Sequence, residues 1–301
     1  RRPRGLHKPA APMKIRFWGV RGSFPVASPD VIRYGGNTPC IEIETDDGTI
    51  VIDAGTGIRD LGKSLLERSV TRFDLLLSHA HWDHIQGSRT SNRSTVTTLP
   101  SPSMPSGIRN TRCRASLLGS SRSPSTLSLC RNMSARIDFV EHADGDVFEV
   151  AGARILCHRL NHPGVTGGFR IESGARTFAY ICDTDLNGEY LLASDLPAHS
   201  DSEHAVWILR LRQAARDLGH GADLMVCDTF FLGEEYDPFW GHSWPDDFLE
   251  FATQAGAGTM CLFHHRPCSD DELDTMVEAC RVRVDSNLQV LAAREGEQID
   301  L

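Results

Sequence analysis

The chain has 301 residues, a hydrophobic share of 40% and a formal net charge of −9. That length allows one large folded unit or two small ones. The acidic balance argues against a general nucleic-acid surface, and no apolar run approaches the ~20 residues of a membrane-spanning helix.

In chain order, residues 1–12 open with Arg1-Arg2-Pro3-Arg4 and carry no apolar stretch of the secretory type. They read as a disordered extension or the edge of a fragment, with a single folded domain expected over 13–301. Apolar and β-branched content predicts strands over 14–20, 40–44, 49–52 and 73–78, and a helix over 57–68.

The fourth of these strands runs into His79-Ala80-His81-Trp82-Asp83-His84. Four metal-ligand side chains fall within six residues. His79 and His81 can point the same way from a strand end, while Asp83 and His84 turn back from the following loop or helix start. Imidazole nitrogen and carboxylate oxygen are the donors that hold Zn²⁺, Mn²⁺ or Fe. Four donors this close crowd a single tetrahedral ion, so the run points to two adjacent metals.

The chain then changes character. Between Gly87 and Ile137 there is no Asp, Glu, Lys, His, Phe, Tyr or Trp, although the chain holds 40 acidic residues. Residues 88–133 form an atypical Ser/Arg/Pro-rich segment without helical or strand periodicity, and the composition predicts disorder. Two origins stay open: a natural flexible insertion, or a frame-shifted stretch. The second is a hypothesis. It is motivated by the scarcity of lysine (Lys8, Lys14 and Lys63 among 31 basic residues), as G+C-rich coding gives. An uninterrupted reading frame on resequencing would remove it.

Further strands are predicted over 154–160, 168–172, 177–181, 224–227 and 259–263. Helices are predicted over 203–218, 244–254 and 269–280. Ser243 and Ser269 stand as caps of the last two, with Pro245 in the first turn of one and acidic residues near both N-termini. Cys157, Cys182, Cys227 and Cys261 lie in or beside these apolar runs. Nine cysteines with no C-x-x-C pair read as buried free thiols in a reducing cytoplasm. The mixture of strands and helices suggests an α/β sandwich. Asp53, His79, His162, Asp183, Asp228 and His264 each follow a strand, and ligands in α/β proteins gather beyond strand C-termini, so one shared site is expected.

The H-x-H-x-D-H run resembles the metallo-β-lactamase superfamily, and the likeness extends from Lys14 to about Glu278, residues 88–133 excepted. Phe17-Trp18-Gly19-Val20-Arg21-Gly22-Ser23, Tyr34-Gly35-Gly36-Asn37-Thr38 and Ile52-Asp53-Ala54-Gly55-Thr56-Gly57 resemble the opening of its phosphodiesterase branch, which includes RNase Z. Asn161-His162-Pro163-Gly164, Cys182-Asp183-Thr184 and Leu262-Phe263-His264-His265 resemble its later metal motifs. The resemblance implies an αββα sandwich of two mixed sheets flanked by helices. It implies one metal on His79, His81 and His162, another on Asp83, His84 and His264, and Asp183 between them. Zn²⁺ leads as the metal, with Mn²⁺ or Fe as alternatives.

His264 is preferred to His265 because it directly follows the strand, which leaves His265 as a supporting partner. Asp53 is expected to support a ligand histidine through a hydrogen bond. His242, in Gly241-His242-Ser243, resembles a histidine that stands near the scissile phosphate; it would act as a proton donor, with Asp228 as the residue orienting it. Asp83 would hold a metal and steer the nucleophile. The activity implied is that of a phosphodiesterase on cyclic nucleotides or other small phosphodiesters, with a hydroxide shared between the metals as nucleophile. The alternatives are an RNase Z-like RNA endonuclease, a lactone or ester hydrolase, and a catalytically impaired metal-binding remnant. A cytoplasmic protein without membrane partners is expected, with nucleic acid a less favoured partner and a homo-oligomer left open.

Overall fold

The computed structural model describes residues 13–89, 112–118, 136–193, 196–231, 236–284 and 287–301. The extension 1–12 and most of the 88–133 segment lie outside them. Among the described residues, fourteen strands form two seven-stranded sheets. In the first, β1 (Lys14–Gly19), β2 (Cys40–Glu44), β3 (Thr49–Ile52), β4 (Arg72–Leu77), β5 (Arg112–Leu118) and β6 (Arg136–His142) lie in that order, with β14 (Gln298–Asp300) outside β1. β14, β1, β2 and β3 pair antiparallel, and β3 through β6 pair parallel.

The second sheet repeats this plan. β7 (Val147–Val150), β8 (Ala153–Arg159), β9 (Gly167–Ser173) and β10 (Arg176–Ile181) are antiparallel. β11 (Leu224–Asp228), β12 (Thr259–Phe263) and β13 (Gln289–Ala292) continue parallel from β10.

Alternation along the strands sends side chains to two different cores. Leu224 and Val226 of β11 and Cys261 and Phe263 of β12 face the inter-sheet core, where they meet Ile15, Phe17, Ile41, Ile43, Ile50 and Ile52 of the first sheet. The Phe263 ring lies 6.1 Å from both Phe17 and Tyr180. The intervening Met225, Cys227, Met260 and Leu262 face outward beneath helices. Those helices are α3 (Asp201–Gly219), α4 (Pro245–Ala255) and α5 (Asp270–Arg281), and α1 (Ile58–Glu67) covers Val51, Phe73 and Leu75 on the first sheet. The result is the helix–sheet–sheet–helix sandwich that the motifs implied.

Three local expectations are corrected. The 88–133 segment is not without strand structure: β5 sits between β4 and β6 in parallel register, Leu75 opposite Ala115 and Ala115 opposite Phe139. Ser243 does not cap α4, whose N-cap is Trp244. Its hydroxyl instead donates to the Thr184 carbonyl at 2.6 Å and accepts from the Leu186 amide at 3.0 Å, tying the helix start to the Asp183 loop. His265 is a core residue rather than a partner of His264, as described below. Ser269 does cap α5, in a reciprocal box with Glu272. The cysteines whose side chains are described are free, and all but Cys268 are buried. No helix among the described residues is long and apolar enough to cross a membrane.

Candidate metal centre

The parallel strands deliver the polar residues to one end of the sandwich. Asp53 follows β3, His79 is the second residue after β4, Asp183 is the second after β10, and His264 follows β12. Asp53, Asp183 and His264 take left-handed backbone, with φ of 60°, 52° and 57°. This conformation is rare for residues other than glycine and turns the chain sharply back at the strand end. The four-residue helix α2 (Trp82–Ile85) turns Asp83 and His84 back into the site, with His81 as its N-cap.

Seven of the residues marked out in the sequence are brought together. His79, His81 and His162 form one group of converging donors, and Asp83, His84 and His264 form another. Asp183 lies between them: its Oδ2 is 3.3 Å from His84 Nε2, 3.4 Å from His264 Nε2, 3.6 Å from His79 Nε2 and 3.8 Å from His162 Nε2. Within the groups, His162 Nε2 is 3.0 Å from His81 Nδ1, and His264 Nε2 is 3.1 Å from Asp83 Oδ2.

Their hydrogen bonds fix which nitrogens are left as donors to a cation. His84 Nδ1 donates to Asp53 Oδ2 at 2.7 Å, and His162 Nδ1 donates to the Gly241 carbonyl at 2.8 Å. Both Nε2 lone pairs therefore face the cluster when the rings are neutral. Ser78 Oγ donates to Asp53 Oδ2 at 2.8 Å and lies 3.0 Å from His79 Nδ1, so His79 is held the same way. Tyr180 donates its hydroxyl proton to the same Asp53 oxygen at 2.8 Å. Asp83 Oδ2 accepts from the Ser23 amide at 2.8 Å.

The arrangement fits divalent cations. His79 Nε2 and Asp183 Oδ1 are buried with no hydrogen-bond partner. The Nε2 atoms of His84 and His264 stand 3.3 Å apart, beside two carboxylates. Bare lone pairs and carboxylates packed this closely repel one another unless positive charge sits among them. Donors about 2.0–2.1 Å from a tetrahedral ion lie roughly 3.3 Å from each other, and the spacings here cluster about that value.

The electrostatics agree. Burial pushes His162 down to about 3 and His79 well below its usual value, so both rings are neutral donors near pH 7. Burial also disfavours charge on Asp183 and Asp83, yet the surrounding imidazoles hold both carboxyls well below the usual range. His84 is the counterpart: burial works against its charge, but Asp183, Asp83 and Asp53 raise it well above its usual value, so without a cation this ring carries the positive charge among the carboxylates.

His242 stands beside this cluster. Its Nδ1 donates to Asp228 Oδ2 at 2.7 Å. Asp228 is itself held by the Thr184 and Phe230 amides, at 3.3 and 3.1 Å. The His242 ring stacks on Phe230 at 4.7 Å and on His264 at 5.1 Å. Burial works against an imidazolium there, but Asp228 prevails and raises the pKa of His242.

His265 does not reach the cluster. Its Nε2 donates to the Ala293 carbonyl at 3.0 Å, and its ring lies edge-on to Tyr34 at 5.8 Å. The strand-end turn at His264 separates the directions of these two neighbours. Ser78, Tyr180 and Phe230 serve the site without having been marked out in the sequence, since a lone Ser, Tyr or Phe carries no spacing signal, and Ser243 serves it in another role than the helix cap expected. Gly22 and Gly241 are also required: a Cβ on Gly22 would strike the His264 ring, and one on Gly241, at φ 73°, would lie 2.6 Å from His162 Nδ1.

Comparison with known proteins agrees with this geometry. The family model of the beta-lactamase superfamily domain matches residues 48–195, which hold all the candidate ligands except His264. No curated protein sequence matches significantly. Among solved structures, the metallo-β-lactamase fold protein YhfI from Bacillus subtilis is 17% identical, with 96% of this chain and 100% of that one covered and a TM-score of 0.68. A diphosphatase of the PhnP family is 16% identical over 96% and 98% of the two chains, with a TM-score of 0.60. The short form of human tRNase Z is 15% identical over 95% and 98%, with a TM-score of 0.57. Fold and cluster together support a metal-dependent hydrolase. The chain has the metallo-β-lactamase fold, and its residues 48–195 match the beta-lactamase superfamily domain.

Proposed function

We propose that this protein is a dinuclear metal-dependent phosphodiesterase acting on small phosphodiesters, with Zn²⁺ as the preferred ion. The observation that carries the reading is the Asp228–His242 pair, a buried and carboxylate-oriented imidazole standing against the ligand cluster. A phosphodiester has a leaving oxygen that needs a proton, and a histidine whose pKa a carboxylate raises is suited to supply one. The likeness to a PhnP-family diphosphatase and to tRNase Z agrees with chemistry at phosphorus.

His79, His81 and His162 would hold one ion, and Asp83, His84 and His264 the second, with Asp183 shared. Such ions supply electrophilic charge toward phosphate oxygens and acidify water at neutral pH. The chain's own residues do the rest. Asp53 and Ser78 fix the tautomers of His84 and His79. Asp83, anchored by the Ser23 amide, orients the attacking water. Asp228 keeps the His242 Nδ1 proton engaged, which leaves the Nε2 proton for the departing oxygen. Phe230, stacked on His242, fixes the plane of that ring.

The test is hydrolysis of bis(p-nitrophenyl) phosphate before and after chelation. Chelation should abolish turnover, and Zn²⁺ or Mn²⁺ should restore it. Full turnover by metal-free protein would refute the metal reading. Stoichiometric metal with no turnover on any phosphodiester would leave a metal-binding remnant.

A further inference from the structure

A buried cation stands outside the ligand cluster. Arg21 has no accessible surface. Its Nε donates to the Gly35 carbonyl at 2.8 Å, and its Nη1 donates to the carbonyls of Arg266 and Cys268 at 3.0 and 2.9 Å. Nη2 lies 3.8 Å from Asp270 Oδ1 and makes no hydrogen bond. Asp270 is engaged elsewhere as well, since it accepts from the Arg33 and Tyr34 amides at 2.7 and 3.2 Å. A guanidinium taken out of water for three carbonyls and one distant carboxylate contributes little net stability. What it fixes is the relative position of three loops, 20–23, 33–36 and 264–268.

Those loops serve one half of the cluster. The Gly22 amide donates to the His265 carbonyl and the His265 amide donates to the Val20 carbonyl, both at 2.9 Å, so Arg21 and His265 form a short parallel bridge. Gly22 packs against the His264 ring, so closely that a Cβ there would lie 2.4 Å from Nδ1. The next residue, Ser23, holds Asp83 Oδ2 through its amide at 2.8 Å. It does so from left-handed backbone, at φ 66°, which a serine keeps only where its surroundings over-determine it. Asp83 and His264 are therefore both placed by the segment 20–23, and the Arg21 side chain anchors that segment. The other group draws its hydrogen bonds from different loops: His79 meets Ser78 Oγ, and His162 donates to the Gly241 carbonyl.

We infer that Arg21 is a positioning residue for one of the two metal subsites. Its planar fork sets Asp83 against His264, and so governs the ion on Asp83, His84 and His264 without governing the ion on His79, His81 and His162. The inference rests on the dinuclear reading and adds to it a residue outside the ligand set. The fork matters as well as the charge, because a single ammonium cannot reach the Gly35, Arg266 and Cys268 carbonyls in that geometry.

The experiment titrates metal-free protein with Zn²⁺ in competition with a chromophoric chelator, which gives stepwise affinities independent of turnover. Wild type should bind two ions. Arg21→Met should weaken one of them about 10–100-fold and leave the other within about threefold. His81→Ala introduced into Arg21→Met should then remove the remaining ion, which places that ion on the first group. Arg21→Lys keeps the charge without the fork and should show the same selective loss; it carries the test if Arg21→Met does not fold. Leu65→Ala, in the core under α1, lowers stability away from this segment and should leave the ratio of the two affinities unchanged. Equal weakening of both ions in the Arg21 variants, or wild-type affinities in either, would overturn the inference and leave the dinuclear reading intact. Wild-type protein that binds fewer than two ions would instead refute the dinuclear reading, and the inference with it.

Discussion

The Asp228–His242 pair and the Asp53–His84 pair have the same local geometry, a carboxylate 2.7 Å from an imidazole Nδ1, and opposite consequences. In the proposed mechanism the far nitrogen of the first is offered to a substrate, while that of the second is directed into the cluster as an electron-pair donor to a cation. His242→Ala should therefore lower kcat by about 10²–10⁴-fold on phosphodiesters with alkoxide leaving groups. The loss should be far smaller on bis(p-nitrophenyl) phosphate, whose leaving group needs no proton. Equal losses on both substrates would remove the proton-donor role. Asp53→Asn should act on metal instead, weakening binding roughly 10–100-fold. Competition with a chromophoric chelator measures this, and unchanged affinity would show that the Asp53 carboxylate does not support His84.

Between the sheets, Phe263 packs against Phe17 and Tyr180 with no accessible surface. Phe263→Ala should cost about 3–5 kcal/mol in chemical denaturation, and it should loosen the metal centre as well, because β12 ends at His264. A loss below about 1 kcal/mol would mean that the inter-sheet core closes over the cavity. How much could be read ahead of the structure differs by element. β2, β3 and β12 were legible to the residue, because β3 and β12 are short apolar runs, β2 alternates Ile with Glu, and each is cut off by Gly or a polar turn. The ligand motifs were legible because three imidazoles and a carboxylate in six residues have few other uses. β5 was not. Its sequence, Arg112-Cys113-Arg114-Ala115-Ser116-Leu117-Leu118, does alternate, but Cys113, Ala115 and Leu117 make a weak apolar signal within a Ser/Arg/Pro-rich stretch, and its place is given by the parallel neighbours β4 and β6. β14 has three residues and forms only by pairing with β1, nearly the whole chain away. Ser243 looked like a helix cap because Ser-Trp-Pro opens a helix, but the Thr184 carbonyl and Leu186 amide compete successfully for its hydroxyl.

For the molecule as a whole, the buried histidines couple folding to pH. Burial holds His265 at about 3 in the folded protein, against a usual value of 6.5. The unfolded chain therefore binds the additional proton between those values. The stabilisation is complete above pH ~6.5 and declines as pH falls toward ~3. His265→Gln removes this linkage while keeping an N–H donor for the Ala293 carbonyl. Between pH 6.5 and 5, metal-free wild type should lose up to roughly 2 kcal/mol more than the variant, read from urea midpoints at each pH. Parallel pH profiles would place the acid sensitivity elsewhere. His162 and His79 contribute in the same direction, whereas the raised His84 and His242 oppose them, which is why the comparison is made with a variant and not from the wild-type profile alone.

The left-handed backbone at Asp53, Asp183 and His264 decides how this site can be dissected. Alanine at any of the three would remove a functional group and also impose a backbone conformation that costs about 1–2 kcal/mol for a residue with a Cβ and no polar side chain. Such a variant would report misfolding and lost chemistry in one number. Asparagine visits that conformation readily, so Asp183→Asn and His264→Asn keep the turn while changing the charge or the donor. The backbone thus prescribes its own mutational alphabet, in which asparagine and not alanine is the neutral letter.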